Sequence, residues 1–249
     1  MSQPAFTAGL VIIGNEILSG RTQDANIKFL ASRLSELGIA LSEVRVVPDI
    51  PVEIISAVNA MRARYTYLFT TGGIGPTHDD ITTDCIAEAF GVPVERNPEA
   101  VARLQSYYRG ELTDARLRMA NIPQGATLID NPVSGAPGYR LENVHVFAGV
   151  PRIMQAMFDG MAHELDGGAP IRSYAVSIRL PESRIADQLL VLQDRFPEVP
   201  LGSYPFARND VIGTTLVARS ADAAALASVA AALDALVAGL GVERLPDPV

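Results

Sequence analysis

Apolar runs and helical periodicities alternate along the first two thirds of the chain. Leu10 to Ile13 is a continuous apolar run that ends at Gly14, a pattern typical of a strand buried on both faces. A helical spacing of leucines then ends at Gly38, a second strand is predicted from Leu41 to Val47, and Pro51 suits the first turn of the next helix. This repeated order predicts an α/β fold, a three-layer sandwich with a mostly parallel sheet and sites at the carboxyl ends of its strands.

The most informative stretch is residues 70–84. An apolar run through Phe69 leads into the residues TTGGIGPTHDD, and a helical pattern follows from Ile81 to Gly91. This order predicts a strand, a glycine turn and a helix N-terminus. Glycines let backbone N–H groups approach a ligand closely, and the free N–H groups of a first helical turn favour an anion. A glycine-rich turn that binds nothing is the alternative, but two adjacent carboxylates and several threonines accompany these glycines.

Three aspartates follow predicted strands or begin the helices after them. Asp24, Asp49 and Asp80 are therefore expected at one edge of the sheet, because the carboxyl ends of parallel strands meet there. Asp24 suits an ordinary helix N-cap equally well, and Asp49 suits a turn before Pro51. Asp80 is the strongest candidate, since it lies within the glycine loop itself.

The middle of the chain contains a second, weaker junction of the same kind. Residues 92–120 are predicted to be mostly helical, and residues 127–130 form a short predicted strand. A loop is expected at 131–138, because it holds two prolines, two glycines and a serine. Residues 139–148 are predicted to form a strand pair, and Gly149-Val150-Pro151 opens a further helix.

The chain changes character after a linker at residues 166–170. Beyond it we predict one alternating strand, a helix, two more strands and a last apolar helix, at 174–180, 182–196, 201–206, 211–219 and from Ser220. We therefore expect two domains: residues 1–166, which carry the site, and residues 171–249, a small α+β two-layer accessory domain.

Composition excludes several classes of protein. The net charge of −8 argues against a nucleic-acid partner held through phosphates. No run approaches ~18 uninterrupted apolar residues, so we expect no membrane span. No signal peptide is expected, and Cys85 is the single cysteine, so a cytoplasmic protein is predicted.

Several motifs together resemble a known family. Residues 70–82 are similar to the signature of the molybdopterin-binding (MoaB/Mog-like) domain. The segments 14–18, 24–26, 131–138 and 149–151 resemble the branch found at the N-terminus of competence/damage-inducible protein A (CinA). The resemblance runs from residue 8 to about 165 and continues more weakly into the tail.

This resemblance implies a choice of activities. Domains of this family bind molybdopterin, transfer adenylyl groups to it or, in CinA-like proteins, hydrolyse nucleotide pyrophosphates such as ADP-ribose with a divalent metal. In Mog-like members, the residues that match Asp80 and Asp49 are the functional carboxylates. Two departures matter: the sequence ends before the deamidase domain of full-length CinA, so that activity is not expected, and Asn15 stands where many relatives carry an acidic or hydroxyl residue.

A divalent cation fits the charges of this motif. A carboxylate ~4 Å from a phosphate repels it by about 4 kcal/mol at an effective dielectric of 20. Bound Mg²⁺ or another divalent cation reverses that sign. We therefore expect Asp80 and Asp49 to hold a metal and to be catalytic. The residues expected to bind the ligand and its phosphates are Thr71, Gly72, Gly73, Gly75, Thr77, Gly14, Glu16, Asp24, Asn26, Ser134, Pro137 and Gly138.

The expected reaction is metal-dependent hydrolysis of an ADP-ribose-like pyrophosphate. The alternatives are adenylyl transfer in molybdenum cofactor biosynthesis and a non-catalytic module that binds molybdopterin or a nucleotide. The expected partner is a small nucleotide or pterin diphosphate. The resemblance also suggests a homo-oligomer, at least a dimer, assembled through the sheet domain.

Overall fold

The computed structural model describes residues 6–110, 112–208 and 211–246. The described chain divides into two compact units: the larger takes in residues 6–34 and 39–167, and the smaller takes in residues 35–38 and those from 168 onwards. Residues 1–5, where no signal peptide is expected, lie outside the described residues.

The larger unit alternates strands and helices in the predicted manner. Its elements in chain order are β1 (Thr7–Ile13), α1 (Asn15–Leu18), α2 (Asn26–Glu36), β2 (Ala40–Val47), α3 (Pro51–Arg62), β3 (Tyr67–Thr71), α4 (Thr82–Phe90), β4 (Val94–Arg96), α5 (Pro98–Tyr108), α6 (Asp114–Arg118), β5 (Asn121–Pro123), β6 (Thr127–Ile129), β7 (Gly138–Leu141), β8 (Val144–Phe147) and α7 (Pro151–Met161).

The main sheet has the order β2-β1-β3-β8-β7-β6. Its first four strands are parallel, whereas β7 and β6 are antiparallel to their neighbours. β1 is buried on both faces, as its apolar run predicts. The fold prediction, a mostly parallel sheet in an α/β unit, is confirmed, and the carboxyl ends of β1, β2, β3 and β8 meet at one edge.

Local signals explain where several helices begin and end. The Asp24 carboxylate accepts a hydrogen bond from the Ile27 amide at 2.8 Å, so Asp24 caps α2. Pro51 lies in the first turn of α3. α4 ends at Gly91, whose φ of 67° is the left-handed conformation that glycine adopts without strain.

The prediction for residues 92–120 was wrong in part. A two-stranded antiparallel sheet of β4 and β5 flanks the two helices there. Its strands have three residues each, too few for an alternating pattern to stand out, and Arg96 pairs with a residue 25 positions away, Asn121. Asn97 caps α5 by accepting a hydrogen bond from the Ala100 amide.

The smaller unit is a sheet with helices packed on it, which confirms the predicted α+β form. Its elements are β9 (Arg172–Ile178), α8 (Ala186–Arg195), β10 (Leu201–Arg208), β11 (Val211–Ser220), α9 (Ala223–Leu240) and β12 (Arg244–Leu245). The sheet is antiparallel with the order β10-β11-β9-β12. The last helix begins at Ala223 rather than Ser220, because Asp222 caps it through the amides of Ala224 and Ala225.

Length and composition alone would let α9 cross a membrane, since its mean hydropathy is 2.0 over 18 residues. Four of its apolar side chains are buried in the core of the smaller unit, and they are Leu226, Val229, Leu233 and Val237.

Candidate functional site

The glycine loop folds back onto the first turn of α4. Thr82 donates from its amide to Gly73 O at 3.0 Å and from its hydroxyl to Gly72 O at 2.9 Å. Gly72 and Gly73 have φ values of 102° and 68°, and a β-carbon there would meet Ile13 O and the Thr82 hydroxyl respectively. Glycine is therefore required at both positions.

The N–H groups of the loop are not equally available. The Gly72 amide already donates to Phe147 O at 3.2 Å. Within the described residues, the amides of Gly73 and Gly75 donate to no protein acceptor. These two amides, rather than all three, are the ones that an anion could occupy.

Asp80 is held by Thr77, three residues before it. Its Oδ2 accepts hydrogen bonds from the Thr77 amide at 2.8 Å and the Thr77 hydroxyl at 2.6 Å. No group in the described chain donates to Oδ1, which is free to bind a ligand. The carboxylate is thus oriented within the loop before any ligand binds.

Asp49 is held by the start of α1. Its Oδ2 accepts a hydrogen bond from the Asn15 amide at 2.9 Å, and the Gly14 amide donates to Val47 O at 3.2 Å. These contacts tie the carboxyl ends of β1 and β2 together. Asn15 holds Asp49 through its backbone, so an asparagine side chain at this position leaves the contact intact.

Asn131 organises the loop at residues 131–138. Its amide nitrogen donates to the Ser134 hydroxyl and to Ala136 O, both at 2.7 Å. Its amide oxygen accepts from the backbone amides of Val133 and Ser134, both at 3.1 Å. Asn131 is buried, so it holds a loop without helix or strand in one conformation.

The second glycine turn lies beside the first. The buried Asn26 side chain donates to Gly149 O at 2.9 Å. A β-carbon at Gly149 would meet the α-carbon of Gly72 at 3.2 Å. Asn26 therefore positions the turn that packs on the glycine loop.

These elements enclose a cleft of about 520 Å³ at the carboxyl edge of the sheet. It is lined by eight of the sequence-predicted residues, which are Gly14, Glu16, Asp49, Gly72, Gly73, Gly75, Asp80 and Ser134. A smaller cavity of about 60 Å³ adjoins it, is lined by Thr77 and Pro137, and has Gly75 and Asp80 in common with the cleft.

Four other predicted site residues are not among those that line either cavity in the described chain. Thr71 is buried at the end of β3, and its hydroxyl has no hydrogen-bond partner among the described residues. Asp24 caps α2, and Asn26 supports Gly149. Gly138 begins β7, where a β-carbon would meet Val146 O and the Met157 side chain.

Sequence reasoning missed several residues around these cavities. Asp79 and Asn131 line the cleft, and Arg118 and Tyr139 line the smaller cavity. Asp79 had a signal, since it belongs to the same acidic pair as Asp80. No sequence signal pointed to Arg118. It lies in a five-residue helix, which is too short for its pattern of apolar residues to indicate what the side chain contacts.

The cleft is acidic. Its carboxylates are those of Glu16, Asp49, Asp79 and Asp80, and none of the described residues that line it is basic. A bare diphosphate would meet net repulsion here, which a cation would remove.

The donor set suits a hard cation that completes its coordination with ligand and water. Within the described residues, no three His, Cys, Asp or Glu side chains form a ready-made metal cage. Mg²⁺ is typically held by one or two carboxylates together with substrate phosphates and waters. Asp49 and Asp80, each with one carboxylate oxygen left without a protein donor in the described chain, fit that arrangement.

Two family models match the chain. The model described as "Probable molybdopterin binding domain" matches residues 9–166. The model described as "FAD synthase, middle domain" matches residues 170–244.

One solved structure and two relatives are similar to this chain. The CinA protein of Thermoplasma acidophilum, whose function is described as unknown, is 33% identical, with a TM-score of 0.61 over 65% of this chain and 99% of that one. A CinA-like protein of Gloeobacter violaceus is 32% identical over 95% of this chain and 59% of its own length. A probable FAD synthase of Caenorhabditis briggsae is 31% identical over 94% of this chain and 50% of its own length.

Proposed function

We propose that this protein hydrolyses a nucleotide pyrophosphate such as ADP-ribose in a metal-dependent reaction. The chain belongs to the molybdopterin-binding domain family and is of the CinA-like type. One observation carries the proposal. The clamped carboxylate of Asp80 lines the same cleft as Asp49 and as the glycines whose amides are free to bind an anion.

The glycine loop would bind the diphosphate. The amides of Gly73 and Gly75 have no acceptor in the described chain, and each hydrogen bond to a charged phosphate oxygen contributes roughly 1.5–3 kcal/mol. The opening turn of α4 adds a helix-dipole contribution of about 1 kcal/mol. The turn at Gly149 and the loop around Ser134 line the rest of the cleft and would contact the remainder of the nucleotide.

Asp80 and Asp49 would hold the divalent cation. When bound, such an ion neutralises phosphate charge, polarises phosphorus and lowers the pKa of a coordinated water. Thr77 fixes one oxygen of Asp80 and the Asn15 amide fixes one oxygen of Asp49, so the second oxygen of each is left for the ion. The chain's own contribution is to orient both carboxylates beforehand, which removes the cost of ordering them.

The balanced reaction adds one water across the anhydride. The bond between the bridging oxygen and one phosphorus breaks, and ADP-ribose yields AMP and ribose 5-phosphate. Among the described residues that line the cleft there is no basic side chain to stabilise the leaving phosphate, so this mechanism depends on the cation.

A second candidate is adenylyl transfer to molybdopterin, which requires ATP. The match of residues 9–166 to the molybdopterin-binding model favours it, and the match of residues 170–244 to the FAD synthase middle domain is a second link to nucleotide chemistry. A module that binds molybdopterin or a nucleotide without turnover is the third candidate. All three would use the same cleft.

Product analysis separates these candidates. The full chain is incubated with ADP-ribose, with FAD, or with ATP and molybdopterin, each with Mg²⁺, and the products are identified by mass spectrometry in H₂¹⁸O. Hydrolysis predicts AMP from ADP-ribose or FAD, with ¹⁸O in one product phosphate. Adenylyl-molybdopterin formed only with ATP would establish the second candidate, and binding without any product would establish the third.

A further inference from the structure

Among the described residues, Arg118 makes the one hydrogen-bond link between the loop at residues 74–80 and an element distant in the sequence. Its Nε and Nη2 both donate to Pro76 O, at 3.2 and 2.6 Å, across 42 positions of sequence. We propose that Arg118 is a positioning residue for Asp80 and acts through the peptide group between Pro76 and Thr77. The positioning role itself does not depend on the proposed function, but the expected effect of Arg118 on turnover does.

One peptide group joins the two charged side chains. The carbonyl that accepts from Arg118 belongs to the same planar unit as the Thr77 amide, which donates to Asp80 Oδ2 at 2.8 Å. In a trans peptide the C=O and N–H point in opposite directions, so a guanidinium binds one end and a carboxylate binds the other. Each contact polarises the peptide in the sense that strengthens the other.

In the described chain, no second long-range hydrogen bond holds residues 75–80, although Ile74 at the start of the loop packs against the core. The other hydrogen bonds of residues 74–80 are local: the Asp80 amide donates to Thr77 O at 3.4 Å, and the Ile81 amide donates to Asp79 O at 3.0 Å. Pro76 has no N–H of its own to donate. Without Arg118 the Thr77 amide and hydroxyl would lose their fixed orientation, and the Asp80 carboxylate would lose it with them.

The positively charged guanidinium of Arg118 also lies near the negatively charged Asp80 carboxylate. Arg118 and Asp80 line the same small cavity of about 60 Å³. Among the described residues that line either cavity, Arg118 is the one basic side chain. Its planar pair of donors matches a single carbonyl oxygen in a way that a lysine ammonium does not reproduce.

The test uses the full chain with Arg118→Gln and Arg118→Ala. Arg116→Gln is the matched control, since Arg116 lies on the same helix but packs over the Tyr108 ring at 4.0 Å. The first readout is hydrogen exchange of the Thr77 amide by ¹H–¹⁵N NMR without ligand or metal. We expect exchange about tenfold faster in both Arg118 variants, no change in Arg116→Gln, and partial recovery when guanidinium is added to Arg118→Ala.

The second readout is turnover of ADP-ribose with Mg²⁺. We expect kcat to fall about tenfold in Arg118→Gln with KM within about twofold, because the substrate contacts remain while Asp80 loses its orientation. Unchanged Thr77 exchange in the Arg118 variants, or an equal change in Arg116→Gln, would overturn the inference. If wild-type protein hydrolyses no diphosphate, the proposed function fails, and the exchange experiment alone still decides whether Arg118 positions the loop.

Discussion

The Asp80 carboxylate lies directly over Gly75: a β-carbon at Gly75 would meet Asp80 Oδ2 at 2.6 Å. Gly75→Ala should therefore displace the carboxylate from its two hydrogen bonds to Thr77. Because Gly75 does not need a positive φ, we expect the free energy of unfolding to change by less than about 1 kcal/mol. Turnover should fall at least about tenfold, corresponding to ~1.4 kcal/mol, as measured by steady-state kinetics.

Gly160→Ala serves as the control for this substitution. Gly160 lies in α7, and a β-carbon there meets nothing within 4 Å. It should leave turnover unchanged and stabilise the helix by up to about 1 kcal/mol. Equal activity of wild type and Gly75→Ala would show that the position of Asp80 does not matter.

Thr77→Val tests the hydroxyl half of the Asp80 clamp. Valine keeps the backbone donor but removes the hydroxyl that donates at 2.6 Å. We expect kcat to fall about tenfold, since a hydrogen bond to a charged group contributes roughly 1.5–3 kcal/mol. Thr77→Ser restores the donor and should keep at least half of the wild-type rate. Equal rates for the valine and serine variants would argue against the clamp.

Asn131→Asp tests how the wall of the cleft is held. The substitution keeps the shape but replaces the nitrogen that donates to Ser134 and Ala136 O with an acceptor. The partly buried Ala136 carbonyl then loses its donor and the buried side chain gains a charge, so we expect a loss of about 1–3 kcal/mol in the free energy of unfolding, measured by urea denaturation. Ser134→Ala removes only one of the two acceptors, so it should lower the free energy of unfolding by a smaller amount. An Asn131→Asp protein as stable as wild type would contradict the loop's dependence on this side chain.

His145 makes the larger unit sensitive to acid. It is buried beside the rings of Tyr67 and Phe69, and neither ring nitrogen has a hydrogen-bond partner in the described chain. Burial, with a smaller contribution from the charge of Arg140, lowers the pKa of His145 to about 4. An unfolded histidine titrates near 6.5, so only the unfolded chain binds the proton between these two values. Its stabilising effect is therefore complete above pH 6.5 and is lost as the pH falls towards 4.

We expect the free energy of unfolding to fall by about 2 kcal/mol between pH 7 and pH 5 because of His145. Denaturant unfolding at both pH values measures it, and His145→Phe should show a correspondingly smaller difference. His78→Gln is the control, because the His78 side chain is 98% exposed and should not alter the difference. A pH dependence in His145→Phe equal to that of wild type would contradict this role.

The pattern of strands and helices in the sequence predicted both the sheet and the edge of the sheet at which the cleft lies. Apolar runs and capping residues mark parallel strands, and the carboxyl ends of such strands meet at one edge. That rule, with the glycine signature, was enough to expect Asp49 and Asp80 in one place, and both line the cleft. Gly14 and Glu16, which the resemblance of segment 14–18 suggested, follow the carboxyl end of β1 and also line the cleft.

Single side-chain contacts across long stretches of sequence were beyond prediction. Asn26 reaches Gly149 O over 123 positions and Arg118 reaches Pro76 O over 42, and no periodic pattern encodes either. The hydrogen-bond partners of the backbone amides could not be predicted either. The sequence suggested that the Gly72 amide was available to a ligand, but it donates to Phe147 O in the folded sheet. Only the register of β3 against β8 reveals this.

The most direct test of the proposed mechanism is calorimetric titration of ADP-ribose into wild type and Asp80→Asn, in EDTA and in Mg²⁺. Asp187→Asn is a charge-matched control from the smaller unit. If Asp80 works through a cation, wild type should bind at least about tenfold more tightly with Mg²⁺, and Asp80→Asn should show no turnover. In EDTA the variant should bind more tightly than wild type, because it lacks a charge that repels the phosphates. Equal affinity of wild type in both conditions, together with undiminished turnover in Asp80→Asn, would contradict the mechanism.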